Sequence, residues 1–287
     1  MNTKIPSFKL ANTIEVPQLG LGVFLVEDEQ ELTQSVLAAI KHGYRHIDTA
    51  AIYHNEALVG EALQTSGIPR SELFLTSKVW NDAITYEDTI AAFETTLKKL
   101  KTDYLDLYLI HWPSEGYLEK WRALEALYEE GKIRAIGVSN FEINHLEQLM
   151  QEAKIKPMIN QVETNPYFQQ TELHDYLVEE GIQHEAWGPL CQGKGNVLED
   201  NVIQELAEKY QKTPAQIILR WHLDRQVIAI PKSIHETRIQ ENREIFDFHL
   251  SKEDLAKMAL IDKNQRGGAD PTDDAWLAET TKMSLSE

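Results

Sequence analysis

The sequence predicts an α/β fold, a (β/α)8 TIM barrel, and three observations predict it. Short apolar runs alternate with amphipathic stretches of helical period along the whole chain, the pattern of parallel strands with covering helices. Eight strand–helix units of this kind can be traced. The 287 residues suit one barrel, typically about 250 residues, and no Ser-, Gly- or Pro-rich linker divides them. Residues 1–287 are therefore read as a single domain.

The elements follow in order. Residues 7–10 and 14–16 flank Ala11-Asn12-Thr13 and read as a short hairpin that caps the barrel bottom. The first unit places a strand at 19–22 before a helix over 29–42, and the second a strand at 46–48 before a helix over 55–66. Strands at 74–78, 105–110, 135–139 and 158–163 precede helices near 86–100, 117–130, 143–153 and 171–180. The strand at 183–187 is followed by a longer loop, a helix over 202–210, and a further helix opened by Thr213-Pro214. That pair fits N-cap and first-turn positions, where proline's missing N–H costs nothing. The eighth strand is 227–230, with a helix near 236–242. Trp121, Leu124 and Leu127 fall at core spacing, and the pairs Glu129-Glu130 and Glu179-Glu180 read as solvated helix ends. From Asp262 onward the tail is polar and is expected to be irregular.

Bulk properties exclude several function classes. The formal net charge of −18 repels phosphate backbones, so no nucleic-acid partner is expected. No apolar run approaches the roughly 20 residues of a membrane span, and Met1–Leu10 lacks the charged and apolar regions of a secretory leader. A lone cysteine, Cys191, rules out an internal disulfide. Together these suit a cytoplasmic protein that acts on a small molecule. The sequence leaves the oligomeric state open, with a monomer favoured. The ten histidines form no H-E-x-x-H pattern and one cysteine builds no thiolate site, so no metal is expected. Gly20-Leu21-Gly22 opens like a dinucleotide fingerprint, but Leu25 stands where the third glycine belongs.

The positions of the reactive residues carry the functional reading. Barrels of this kind place their sites at the C-terminal ends of strands. Asp48, Lys78, His111, Ser139-Asn140, Gln161, Trp187 and Lys232-Ser233 all fall at or just after such ends. Singly each has a bland alternative: Lys78 as a surface lysine, His111 as a satisfied core histidine, Asp48 as a turn cap, Tyr53 as a packing tyrosine. As a set they suit proton donation to a carbonyl oxygen. A free tyrosine with a pKa near 10 is a weak acid at neutral pH. An ammonium at Lys78, balanced by Asp48, should lower the Tyr53 pKa, and a neutral His111 can orient the oxygen.

Three segments carry a resemblance. They are Gly43-Tyr44-Arg45-His46-Ile47-Asp48-Thr49-Ala50 with Tyr53, Asn55-Glu56 and Val59-Gly60; Leu97 to Pro113 with Tyr104, Asp106-Leu107 and His111-Trp112-Pro113; and Ile230-Pro231-Lys232-Ser233 with Arg238 and Glu241-Asn242. Together they resemble the aldo-keto reductase family, on the side of its bacterial diketogluconate and glyoxal reductases. The resemblance implies NADPH/NADP+ as cofactor, a small carbonyl substrate, and a catalytic tetrad of Asp48, Tyr53, Lys78 and His111. It implies that Ser139, Asn140 and Gln161 hold the nicotinamide carboxamide and that Trp187 stacks on the ring. Gly188, Pro189 and Leu190 would begin the pyrophosphate loop, Lys232, Ser233 and Arg238 would take the 2′-phosphate, and Glu241 and Asn242 would lie near the adenine. Phe24, Trp80 and Trp112, with His111, would line the substrate mouth, and the polar tail would leave that mouth shallow. Cys191 departs from the small residue expected in the loop; it is either a packed residue or a thiol activated by nearby cations. Two other functions compete: a Schiff-base lyase with Lys78 as nucleophile, and a nucleotide-binding relative without catalysis.

Overall fold

The computed structural model describes residues 4–285, so the ends of the expected domain, 1–3 and 286–287, lie outside it. Strands β1 (Ser7–Lys9) and β2 (Glu15–Pro17) pair antiparallel, with Phe8 opposite Val16. Asn12 in their turn donates to Arg134 O at 2.8 Å, next to the first residue of a barrel strand, which puts the hairpin at the bottom as expected.

The barrel strands are β3 (Leu21–Gly22), β4 (His46–Asp48), β5 (Phe74–Val79), β6 (Leu105–Ile110), β7 (Ile133–Ser139), β8 (Ile159–Glu163), β9 (Gln183–Trp187) and β10 (Ile228–Ala229). Each pairs in parallel with its sequence neighbour. A parallel bridge from Leu19 to Ala229 joins the last strand to the first, with Gly20 N donating to Ala229 O at 2.9 Å. The sheet thus closes into a ring with no free edge.

Helices cover the outside: α1 (Glu29–Lys41), α2 (Glu56–Thr65), α3 (Tyr86–Leu100), α4 (Tyr117–Glu129), α5 (Ile143–Glu152), α6 (Thr171–Glu180), α7 (Asn201–Tyr210), α8 (Pro214–Asp224) and α9 (Glu236–Arg243). Their ends follow local chemistry. Thr85 and Asp88 form a reciprocal cap on α3, as do Thr213 and Gln216 on α8, with Pro214 in the first turn. The faces that look inward bury Trp121, Leu124 and Leu127 of α4 against the sheet.

The tail departs from expectation. Just before it, α10 (Lys252–Ala259) is a helix the sequence reading did not find, and the tail itself forms α11 (Asp274–Thr280) within the segment expected to be irregular. Helix α10 starts on Ser251, whose hydroxyl accepts from Asp254 N, and α11 starts on Asp273, whose side chain accepts from Trp276 N. Leu277 is buried, and Trp276 meets Trp112 edge to face at 4.6 Å between ring centroids. Short polar helices of this sort are stabilised by partners far away in sequence, and such partners leave no local periodicity. Asn81 Nδ2 donates to Thr280 Oγ1 at 2.7 Å, which ties α11 to the loop after β5.

Candidate active site

The barrel interior gathers the expected tetrad at its C-terminal rim. Asp48 ends β4 and Lys78 stands near the end of β5; both are buried, Lys78 completely. Lys78 Nζ donates to Asp48 Oδ1 at 2.6 Å and to Thr49 O at 3.0 Å. Tyr53 sits in the short turn 51–53 that follows β4, with the ammonium 5.2 Å from its ring centroid. His111 follows β6 and packs edge-on against Tyr53 at 5.7 Å and against Trp80 at 5.3 Å. The surface-lysine reading of Lys78 is therefore wrong: its strand turns it into the barrel.

The electrostatics follow from that burial. Desolvation first, then the Lys78 charge, hold the His111 imidazole well below its usual pKa, so it is neutral. Its Nδ1 is buried with no hydrogen-bond partner among the described residues. Burial works against the Lys78 ammonium, but Asp48 and Tyr53 outweigh it, and the net direction is upward. For Tyr53 the sequence expectation is corrected. Lys78 does pull the phenol downward, but desolvation is the larger effect, and the net direction is upward.

A second cluster joins the ends of β7, β8 and β9. Ser139 Oγ donates to Gln161 O at 2.8 Å. Asn140, held at φ +62°, a left-handed backbone that asparagine tolerates, donates to His111 O at 2.9 Å and accepts from Trp187 Nε1 at 2.8 Å. Its amide is thus occupied by protein groups. Gln161 Nε2 donates to Asp48 Oδ2 at 2.8 Å and to Glu185 Oε1 at 3.2 Å. Strands β4 and β8 are not neighbours in the ring, so this bond crosses the barrel interior. Glu185 was missed by the sequence reading; a carboxylate in the middle of the predicted strand 183–187 was the available signal.

The loop after β9 contains several residues in the left-handed region. Gly188, Cys191 and Gln192 have φ of +60°, +57° and +52°, so Cys191 adopts a backbone that favours glycine. Its thiol is not activated: burial, then Glu163, push it up to about 12. Pro189 is buried and Leu190 half-buried.

After β10, Lys232 and Arg238 are exposed and carry no ion pair among the described residues. Between them Ser233 is buried, its hydroxyl accepting from His235 N at 3.1 Å. Glu241 accepts from Thr213 Oγ1 at 2.7 Å, and Asn242 is buried.

At the mouth, Phe24 is exposed and lies 4.9 Å from the Tyr53 ring, whereas Trp80 and Trp112 are buried. The tail walls this mouth more than its composition suggested. Ala51, Trp80, Trp112 and Leu277 form one apolar cluster with Trp276 packed on it. Glu163 accepts from Gly267 N and Gly268 N, each at 2.9 Å. This brings Gly268 so close to Trp187 that a Cβ there would lie 2.5 Å from the indole. Glu163, Gly268 and Trp276 adjoin the candidate site, a placement that only the folded chain reveals.

Comparison with known proteins agrees with this geometry. Residues 18–263 match the model of the Aldo/keto reductase family. The chain is 57% identical over 264 residues to the glyoxal reductase of Bacillus subtilis (strain 168), covering 92% of this chain and 95% of that protein. It is 46% identical over 266 residues to the methylglyoxal reductase DkgA of Escherichia coli (strain K12), covering 92% and 96%. The crystal structure of a Bombyx mori aldo-keto reductase in complex with NADP superposes with a TM-score of 0.88 at 36% identity, covering 93% of this chain and 96% of that one.

Proposed function

Since this chain belongs to the aldo/keto reductase family and is therefore an oxidoreductase acting on carbonyl groups, we propose that it reduces small aldehydes and ketones with NADPH, Tyr53 acting as general acid. The observation that carries this reading is the fully buried Lys78, bonded to Asp48 at 2.6 Å and facing the Tyr53 ring. No packing role requires an ammonium there, because a buried charge is costly without a purpose.

The cofactor fits the residues present. Lys232 and Arg238 offer unpaired cations on a strongly acidic protein, beside a buried serine, and suit a 2′-phosphate. Ser139, Asn140 and Gln161 would flank the nicotinamide, and Trp187 would stack on it. When bound, the reduced nicotinamide supplies the hydride. The chain's own residues do the rest. Tyr53, kept protonated by burial, donates its proton to the carbonyl oxygen as negative charge develops there. Lys78 stabilises the phenolate left behind, and Asp48 holds Lys78. His111, neutral, orients the oxygen. Phe24, Trp80, Trp112 and Trp276 would form an apolar mouth that favours short, activated carbonyls such as glyoxal and methylglyoxal, in keeping with the names of the Bacillus subtilis and Escherichia coli relatives.

The lyase reading loses ground on the same pair. A nucleophilic amine must be neutral, whereas Asp48 and Tyr53 shift Lys78 upward, toward the charged form. The test is NADPH consumption with methylglyoxal by the parent and by Tyr53→Phe. The variant should bind NADPH as the parent does and turn over about 10²–10⁴-fold more slowly. Near-parental turnover by folded Tyr53→Phe would refute the assignment.

A further inference from the structure

Glu185 stands inside the barrel and has no part in the mechanism above. Its neighbours are well defined. Glu185 lies beside Gln161 in the register of β8 and β9, and its Oε1 accepts the second N–H of the Gln161 amide at 3.2 Å. The first N–H goes to Asp48 Oδ2. Asp48, paired with the Lys78 ammonium, only accepts, and Glu185 still accepts at Oε1 when its proton sits on Oε2, so two acceptors on one nitrogen fix which way the amide faces. Gln161 Oε1 makes no hydrogen bond among the described residues. It is the atom this arrangement leaves for a ligand N–H, and a nicotinamide carboxamide carries one.

The charges around Glu185 do not balance if every carboxyl is ionised. From β4 it faces Asp48, and also His46, whose Nε2 is 3.9 Å from Oε1. From β5 it faces Lys78. Ile228 and Ala229 of β10 add no charge. His46 is lowered to about 4, by burial above all, and so adds none near neutrality. One ammonium therefore meets two carboxyl groups in a buried interior, while Glu185 Oε2 is buried without a hydrogen-bond partner among the described residues. Burial, then Asp48, push Glu185 up to about 8, against the pull of Lys78. Near neutrality Glu185 then carries a proton beside the Lys78–Asp48 ion pair, and the set has no net charge.

We propose that Glu185 is a positioning residue for the cofactor: it fixes the Gln161 amide with Oε1 turned to the nicotinamide carboxamide, and it stores the one proton that keeps the interior around Lys78 and Asp48 neutral. This rests on the reductase reading. Oxidised and reduced cofactor differ by a positive charge on the ring, so ionising Glu185 beneath the site strengthens NADP+ binding relative to NADPH.

The experiment titrates NADPH and NADP+ separately into the parent, Glu185→Gln and Glu185→Leu from pH 6.5 to 9, following quenching of protein fluorescence. Taking the ratio of the two dissociation constants cancels titration of the shared 2′-phosphate. In the parent the ratio should shift several-fold toward NADP+ as pH rises through about 8, the value expected for a buried carboxyl. Glu185→Gln keeps an acceptor for Gln161, so at pH 7 it should bind NADPH within about 3-fold of the parent, well under the hydrogen-bond energy it preserves. Its ratio should stay flat through pH 8. Glu185→Leu removes one of the two acceptors that hold the Gln161 amide and should bind NADPH about 5- to 10-fold more weakly at pH 7, the loss of one neutral hydrogen bond. A Glu185→Gln ratio that follows the parent's pH dependence overturns the inference alone, as does undiminished binding by folded Glu185→Leu. A parent that binds neither nucleotide overturns the reductase reading and this inference with it.

Discussion

Lys78→Met removes the buried ammonium while nearly keeping its volume, and the structure sets the size and the pH dependence of the result. At 2.6 Å the Lys78–Asp48 attraction is about 6 kcal/mol gross at an effective dielectric of about 20. Part is returned, because methionine has no charge to desolvate. What remains is Asp48, still buried and held among the described residues by Gln161 Nε2. Removing one partner of a buried pair typically costs about 3–5 kcal/mol, and that is the expected loss of stability at pH 7.5. The loss should depend on pH with a definite sign. Left without a cation, the Asp48 carboxyl rises above its unfolded pKa, so the folded variant binds more protons than the unfolded chain. Its stability then falls as pH rises and recovers as pH falls. The parent's pair behaves differently: Lys78 is shifted upward, so its contribution is full below the unfolded lysine pKa and is lost only as pH climbs past the folded value, far above the tested window. The deficit should thus shrink on going from pH 7.5 to 5. Reversible guanidinium unfolding of both proteins at pH 5, 6.5 and 7.5 measures this. A deficit below about 1 kcal/mol, or one that does not change with pH, would refute the claim that this pair is dry and mutually dependent.

Three further outcomes are expected. Arg238→Ala should weaken NADPH binding by about 10- to 100-fold, the worth of one hydrogen bond to a charged group, and leave NADH nearly unchanged; equal losses for both, by fluorescence titration, would make Arg238 an adenine or fold residue. Trp276→Ala should open the mouth and raise kcat/KM for a bulky aryl ketone relative to methylglyoxal by about 10-fold, a typical yield of pocket contacts; an unchanged ratio in competition assays would remove α11 from the site. Cys191, pushed up to about 12 by burial and Glu163, should react with iodoacetamide at pH 7.5 far more slowly than a free thiol, and mass spectrometry showing rapid labelling would reinstate an activated thiol.

What could be read from the sequence divides along a physical line. The strands announced themselves as short runs buried on both faces, and most helices because each buries one face against the core with a period of 3.6. The rim residues were legible because Asp48, His111, Ser139, Gln161 and Trp187 stand at strand ends, and strand ends could be located. Helix α11 escaped because its hold on the protein is a handful of remote contacts, Trp276 on Trp112 and Asn81 on Thr280. Glu185 escaped because its partners come from β4, β5 and β8, and only closure of the barrel brings them together. The direction of the Tyr53 shift was misjudged for a related reason: sequence names the charge that lowers the phenol, but depth of burial, the larger effect, belongs to the folded chain.

The ring of strands is sealed where Leu19 meets Ala229. Those residues are far apart in the chain, so during synthesis β3 emerges from the ribosome long before its second neighbour exists. Until then β3 has only β4 beside it, and β9 presents a row of open amide and carbonyl groups of the kind that recruits other strands. Parallel pairing over such a separation is also slow to form. The vulnerable period of this protein's life is therefore its birth, and substitutions in the late segment 214–230 should reveal themselves first as poor soluble yield, with any molecules that do close retaining full activity.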